Sequence, residues 1–103
     1  MLNPPHTKYS IEGSSNVSIS SVTYTNASGD LAPRPNLSGQ TWTSETFTID
    51  SKEVPALAIV CTETTTDNKV GSLTVNIIVD GNIVKHNTGT GNILQAGISY
   101  GWQ

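Results

Sequence analysis

Charge is scarce in this chain. Only 13% of its 103 residues are Asp, Glu, Lys or Arg, against roughly a quarter in an average domain. Coiled coils and helical bundles cover their exposed faces with Glu, Lys and Arg, so the composition excludes them. The five cations, Lys8, Arg34, Lys52, Lys69 and Lys85, are scattered, and the net charge is −3. So thin a distribution offers no electrostatic footprint for nucleic acid or for an anionic lipid surface. Cysteine occurs once, at Cys61, which excludes an intrachain disulfide. His6 and His86 are the only other soft ligands, and neither lies near Cys61 in sequence, so no metal site and no cofactor are expected. No run approaches the roughly 18 apolar residues of a membrane span, so the chain is not expected to insert directly into a bilayer.

Hydroxyls fill the space that charge leaves. Ser and Thr make up about a quarter of the chain, and apolar residues alternate with them at strand period. Tyr9 and Ile11 alternate before Gly13. Val17 and Ile19 do the same, and Val22 and Tyr24 continue on the opposite parity. The shift at Ser20-Ser21 predicts a β-bulge or two short strands. Asn26 to Asp30 reads as a turn, and Leu31 to Gly39, with two prolines, as a loop or a crossover between sheets. Strand pattern resumes at Thr41-Trp42 and runs through Phe47 and Ile49. Val54 to Cys61 is apolar on both parities, as in a central strand with both faces covered. Leu73, Val75, Ile77 and Val79 alternate with Thr74 and Asn76. Asp80-Gly81 then marks a hairpin, because a type I′ turn needs φ > 0 at both central residues. Gly89 and Gly91 mark the next turn, and Ala96, Ile98, Tyr100 and Trp102 alternate in a last strand.

No window shows a capped 3.6-residue period. The pattern predicts one domain, residues 8–103, behind an N-terminal arm or linker at residues 1–7. Its fold is expected to be an all-β, antiparallel, seven-stranded immunoglobulin-like β-sandwich, with a small closed barrel as the alternative. The predicted core is Tyr9, Tyr24, Trp42, Phe47, Leu57, Ile59, Leu73, Val75, Ile77 and Val79. Cys61, inside an apolar run with no cation beside it, reads as a small buried hydrophobe.

Nothing in the sequence assembles a catalytic set. There is no Gly-x-Ser-x-Gly elbow and no Asp-rich calcium loop; Glu63, Asp67 and Asp80 flank different turns. His86 follows the hairpin as an exposed strand end. A glycosidase groove would need more aromatics than two Trp, three Tyr and one Phe. No enzyme is expected. Sequons at Asn16, Asn26 and Asn36 are no more than a chain rich in Asn, Ser and Thr produces by chance. The candidate binding residues are Tyr100 and Trp102, two apart and therefore on one face. They either close one end of the core or present rings to a sugar or a partner.

The start, Met1-Leu2-Asn3-Pro4-Pro5-His6, has neither the basic region nor the apolar stretch of a signal peptide. Either the product begins at Met1 or a mature domain follows a removed leader; the Pro-Pro linker and hydroxyl-rich surface favour the second. Tyr9-x-Ile11-x-Gly13, the stretch Val22 to Gly29, Trp42 ahead of Phe47, and the stretch Ser72 to Lys85 together resemble the extracytoplasmic domain of the mycobacterial membrane protein small (MmpS) family. The resemblance spans Tyr9 to about Thr90. It implies an immunoglobulin-like sandwich and an accessory role beside a lipid-exporting transporter. Cys61 stands alone where that family has a disulfide pair, and its Leu-Pro-Trp motif is reduced to Trp42 preceded by Gln40-Thr41.

The expected function is therefore non-enzymatic: an extracytoplasmic protein of the bacterial envelope or surface, acting through contact with a protein partner by β-augmentation at an edge strand. The rival expectations are a carbohydrate-binding module using Tyr100 and Trp102 on a glycan, and a self-assembling virion or surface-filament component.

Overall fold

A computed structural model describes residues 6–49, 52 and 54–101. Nine strands and no helix are found among them. In chain order they are β1 (His6–Gly13), β2 (Val22–Thr25), β3 (Leu31–Arg34), β4 (Thr41–Thr43), β5 (Phe47–Thr48), β6 (Ala56–Thr64), β7 (Gly71–Val79), β8 (Asn82–Gly91) and β9 (Ile93–Gly101). They form two antiparallel sheets. One runs β4-β1-β7-β8, with β5 also on β1, and the other runs β3-β2-β6-β9. The described residues form an all-β sandwich, with nine strands in place of the seven expected. Trp102 and most of the 1–7 arm lie outside the described residues; His6 and Thr7 already belong to β1, opposite Thr48 and Phe47.

The two extra strands have local causes. Leu31–Arg34, expected as loop, folds back on β2 as a hairpin closed by Asn26. The Asn26 carbonyl oxygen accepts from Gly29 N, and its side-chain Oδ1 accepts from Ser28 N and Asp30 N. Pro33 is tolerated because β3 is an edge strand, where a missing N–H costs no ladder bond. The crossover between sheets is then confined to residues 35–40.

The Thr41–Ile49 segment is one edge broken in two. Ile11 pairs with Trp42 and Thr7 with Phe47, so four steps along β1 face five along its partner. One extra residue must bulge out. Ser44 fills the gap: its N–H donates to Tyr9 O and its Oγ accepts from Tyr9 N.

The core lies between the inner faces. Tyr9, Tyr24, Leu57, Ile59, Leu73, Val75 and Ile77 are fully buried there, and Trp42, Phe47 and Val79 are half-buried against them. Tyr9 ties the sheets together. Its ring lies 5.0 Å from that of Tyr24 and 5.8 Å from that of Phe47, and its hydroxyl donates across the sandwich to Thr25 O at 2.8 Å.

The segment before β2 shows why the parity shifts at Ser20-Ser21. Val17 and Ile19 are buried without belonging to a strand. In place of a ladder, the Glu63 carboxylate, on the inner parity of β6, accepts from Ser20 N, Ser20 Oγ and Ser21 N. Glu63, expected at a turn, is only 7% exposed.

The Asp80-Gly81 hairpin forms as expected, with φ of 51° and 83° and Val79 opposite Asn82. The next turn comes later than expected: β8 continues through Gly89 to Gly91, leaving His86 exposed in mid-strand rather than at a strand end. Gly89 belongs inside β8 because the strand there touches β9. A Cβ on Gly89 would stand 2.5 Å from the backbone oxygen of Gln95, whereas one on Gly101 would meet nothing within 4 Å. Gly89→Ala is expected to cost about 1–3 kcal/mol by forcing two backbones apart, and Gly101→Ala to stay within about 0.5 kcal/mol. Paired urea-unfolding curves check the contrast.

Candidate functional site

Sandwiches act through three kinds of surface: strand edges, the seam between sheets, and outer sheet faces. Each has a definite form here.

The β3, β4–β5 and β8 edges are blunted, whereas β9, the fourth edge, pairs with β6 over nine residues in unbroken register and faces β8 across the seam. β3 has four residues and carries Pro33. The β4–β5 edge is broken by its bulge. On β8 the register slips between Ile77 opposite Lys85 and Ile78 opposite Ile83, which leaves Val84 as the extra residue. Lys85 occupies the core-side parity of this strand and is exposed at its margin. Bulges, proline and inward-parity lysines are the means by which proteins keep other strands from adding to an edge. β8 is also tied to β9 where Asn87 Nδ2 donates to Gly97 O at 3.3 Å. The expected β-augmentation therefore has no long, regular, open edge to use on β3, β4–β5 or β8.

The seam on the opposite side is latched. Arg34, the last residue of β3, lies over the Tyr24 ring at 5.2 Å and 3.7 Å from Glu45, which follows β4 in the other sheet. Tyr24 Oη donates to Glu45 Oε1 at 3.1 Å, and the Trp42 ring lies 5.6 Å from that of Tyr24. Burial raises the Tyr24 hydroxyl above its usual range, the Glu45 hydrogen bond and charge add to this, and Arg34 opposes it. Arg34 and Glu45 are well exposed, so their ion pair contributes about 0–1 kcal/mol. The three groups satisfy one another, and the arrangement closes the seam rather than preparing a nucleophile.

Cys61 and Glu63 lie beneath the Ser20–Ser21 segment. Cys61 Sγ is 3.3 Å from Ser21 O and 3.8 Å from Glu63 Oε2. Burial first, and then the neighbouring Glu63 charge and hydrogen bond, push the thiol from 9.0 up to about 12. A thiol so held is unreactive at neutral pH. Among the described residues no group of three His, Cys, Asp or Glu could hold a metal ion. His6 Nδ1 is 3.7 Å from Asp80 Oδ1, and His86 stands opposite Asn76.

The outer faces differ sharply. That of β4-β1-β7-β8 is polar and carries charge, with Lys8 and Glu12 on β1, Thr74 hydrogen-bonded to Thr88, and Asn76 donating to Ser10. That of β3-β2-β6-β9 has no ionisable residue at any position. Its rows, read across the strands, are Pro33, Thr23, Val60 and Gly97; Leu31 beside Thr25; Ala58 beside Ser99; Ala56 beside Gly101; Thr62 beside Gln95; and Thr64 beside Ile93. Leu31, Ile93 and Val60 of this face are exposed, as are Val70 before β7 and Ile83, which stands opposite Ile78 on the other outer face. The expectation that the Val54–Cys61 run is covered on both faces is thus corrected. β6 is central, but only its Leu57, Ile59, Cys61 side is covered. Tyr100 stands on the inner side of β9, opposite Leu57, and packs half-buried against the core.

No protein-family model matches the chain, and no curated protein matches it. What it does is read from these surfaces.

Cys61 also sets a pH dependence. Its folded-state value lies above the ordinary thiol value, so the neutral thiol is favoured by folding. The contribution is fully present below about pH 9 and is lost as pH rises towards about 12. Thermal unfolding followed from neutral to alkaline pH is expected to show Tm falling above about pH 9, and less so in Cys61→Ala than in the parent.

Proposed function

We propose that the protein is a non-enzymatic, immunoglobulin-like β-sandwich that works by protein contact outside the cytoplasm, in a transport-accessory or adhesion-like role. The contact runs over the outer face of β3-β2-β6-β9, not along a strand edge. The resemblance to the MmpS extracytoplasmic domain supports the compartment and the role. One observation carries the contact surface: a four-stranded face with no ionisable residue holds Leu31, Val60 and Ile93 in solvent, in a chain whose other outer face carries Lys8 and Glu12 and whose β3, β4–β5 and β8 edges are short, bulged or carry proline. Charge is depleted at the centre of protein interfaces because burying it without a partner is costly. Leu31, Val60 and Ile93 stand in three different rows of the face, with Thr, Ala, Ser and Gly between them, so the absence of charge and not a contiguous apolar patch distinguishes it.

Photo-crosslinking tests this reading. A photo-reactive amino acid replaces Val60 in one protein and Thr88, on the opposite outer face, in another, both produced as the full chain in their native cells. A discrete protein adduct from position 60 and none from position 88 is expected. Adducts from position 88 alone, or from neither position, would contradict the reading.

A further inference from the structure

Trp42 and Arg34 stand on the core-side parity of the two edge strands that meet at the latched seam. Trp42 lies opposite Ile11 on β1, and Arg34 lies opposite Val22 on β2. Core-side residues of edge strands reach the mouth of a sandwich rather than its middle, and here Trp42 is half-buried and Arg34 exposed. Both rest on Tyr24, with the guanidinium 5.2 Å and the indole 5.6 Å from its ring. Tyr24 is fully buried, against Tyr9 and Phe47. The seam groups are therefore mounted on the core, which holds them in place before any ligand arrives.

Beyond the bonds of the latch, several atoms face outward. Glu45 Oε1 accepts from Tyr24 Oη, and Arg34 Nη2 stands 3.7 Å from the same oxygen, too far for a good hydrogen bond. An outside oxygen about 2.8 Å from both atoms fits between them, accepting from the guanidinium and donating to the carboxylate. A hydroxyl does both, whereas a peptide carbonyl only accepts and a peptide N–H only donates. Among the described residues the Trp42 indole N–H has no acceptor, and it is not sealed from solvent.

We propose that the Trp42–Arg34–Glu45 seam binds a neutral sugar unit of a glycan. One hydroxyl of the unit bridges Arg34 Nη2 and Glu45 Oε1, a second oxygen accepts from Trp42 Nε1, and the C–H side of the sugar ring lies on the exposed part of the indole. An apolar ring with a few convergent polar groups is the general form of a small-ligand site. The opposite charges of Arg34 and Glu45 cancel, which suits a neutral unit over an acidic one. A unit of about a dozen non-hydrogen atoms holds the Kd to about the millimolar range. The site lies at the β3–β4 margin, apart from the uncharged outer face, and stands independently of the contact made there.

Sugar titration of the full chain carrying Trp102→Phe, which leaves Trp42 as its one tryptophan, tests this. The probes are maltohexaose, cellohexaose, mannohexaose and N-acetylchitotriose, each to about 10 mM, with hexaproline as the peptide rival. At least one sugar is expected to change the Trp42 fluorescence saturably and to shift its indole N–H resonance. That resonance gives the same readout in the parent chain should Trp102→Phe not fold. Arg34→Ala and Glu45→Gln are each expected to weaken the binding at least about tenfold. Tm is expected to stay unchanged in both, since an exposed ion pair adds little stability. No response to any of these sugars would overturn the proposal, as would sugar binding that both variants retain, or binding of hexaproline alone.

Discussion

The hydrogen bond from Tyr9 to Thr25 O is the contact on which the two sheets depend. Tyr9 sits in the middle of β1, opposite Ile77, and its phenol crosses the core to a backbone carbonyl of β2. A chain with only six aromatic residues has few side chains long enough to span a sandwich. Tyr9 spans it while filling the core with its ring, and the polar end stays paired. Because Thr25 turns its carbonyl to Tyr9, the β2–β6 ladder is short: it holds Tyr24 against Ile59 and Thr23 against Val60, and Thr25 Oγ1 takes over by accepting from Ala58 N. The Tyr9 hydroxyl lifts well out of the usual phenol range, since burial and the neighbouring Tyr24 both disfavour the charged form.

From that tie the arrangement of surfaces follows. The Tyr9–Tyr24 pair draws β2 and β3 close to the β4–β5 edge, where Arg34, Tyr24 and Glu45 latch the seam. On the other side β8 meets β9 at Gly89, and the sheets converge there. With both margins closed and the β3, β4–β5 and β8 edges short, bulged or carrying proline, the broad surfaces left are the two outer faces. One carries charge and a network of hydroxyls and amides. The other carries none, and its outward apolar residues are the outer half of the same alternation that builds the core.

Much of this was legible in the residues. The all-β class, the Asp80-Gly81 hairpin, the strand of Leu73 to Val79 and most of the core follow from period-2 alternation and turn chemistry, which are local. What the alternation could not show was tertiary. The Val54–Cys61 run has apolar residues on both parities, and nothing local distinguishes a strand covered twice from one that leaves Ala58 and Val60 in solvent. Pro33 argued against a strand at Leu31–Arg34, although proline is compatible with an edge, and edge position is a property of the assembled sheet. The break between Trp42 and Phe47 was present as an odd spacing of five residues. Glu63 is the clearest omission: a carboxylate on the inward parity of an apolar strand, with paired serines far upstream to receive it, can be recognised only once the sheets are stacked. The contact face was missed for a related reason, since it is assembled from single outward residues of four strands.

The central claim is that contact is made through the uncharged face. Hydroxyl-radical footprinting of the protein in its native cells, set against the purified chain, tests it most directly, because side-chain oxidation reports which surface is covered. The account predicts protection in the cell at Leu31, Val60 and Ile93, with Ile83 and His86 oxidised equally in both. Protection at Ile83 and His86 alone, or at none of the five, would contradict it.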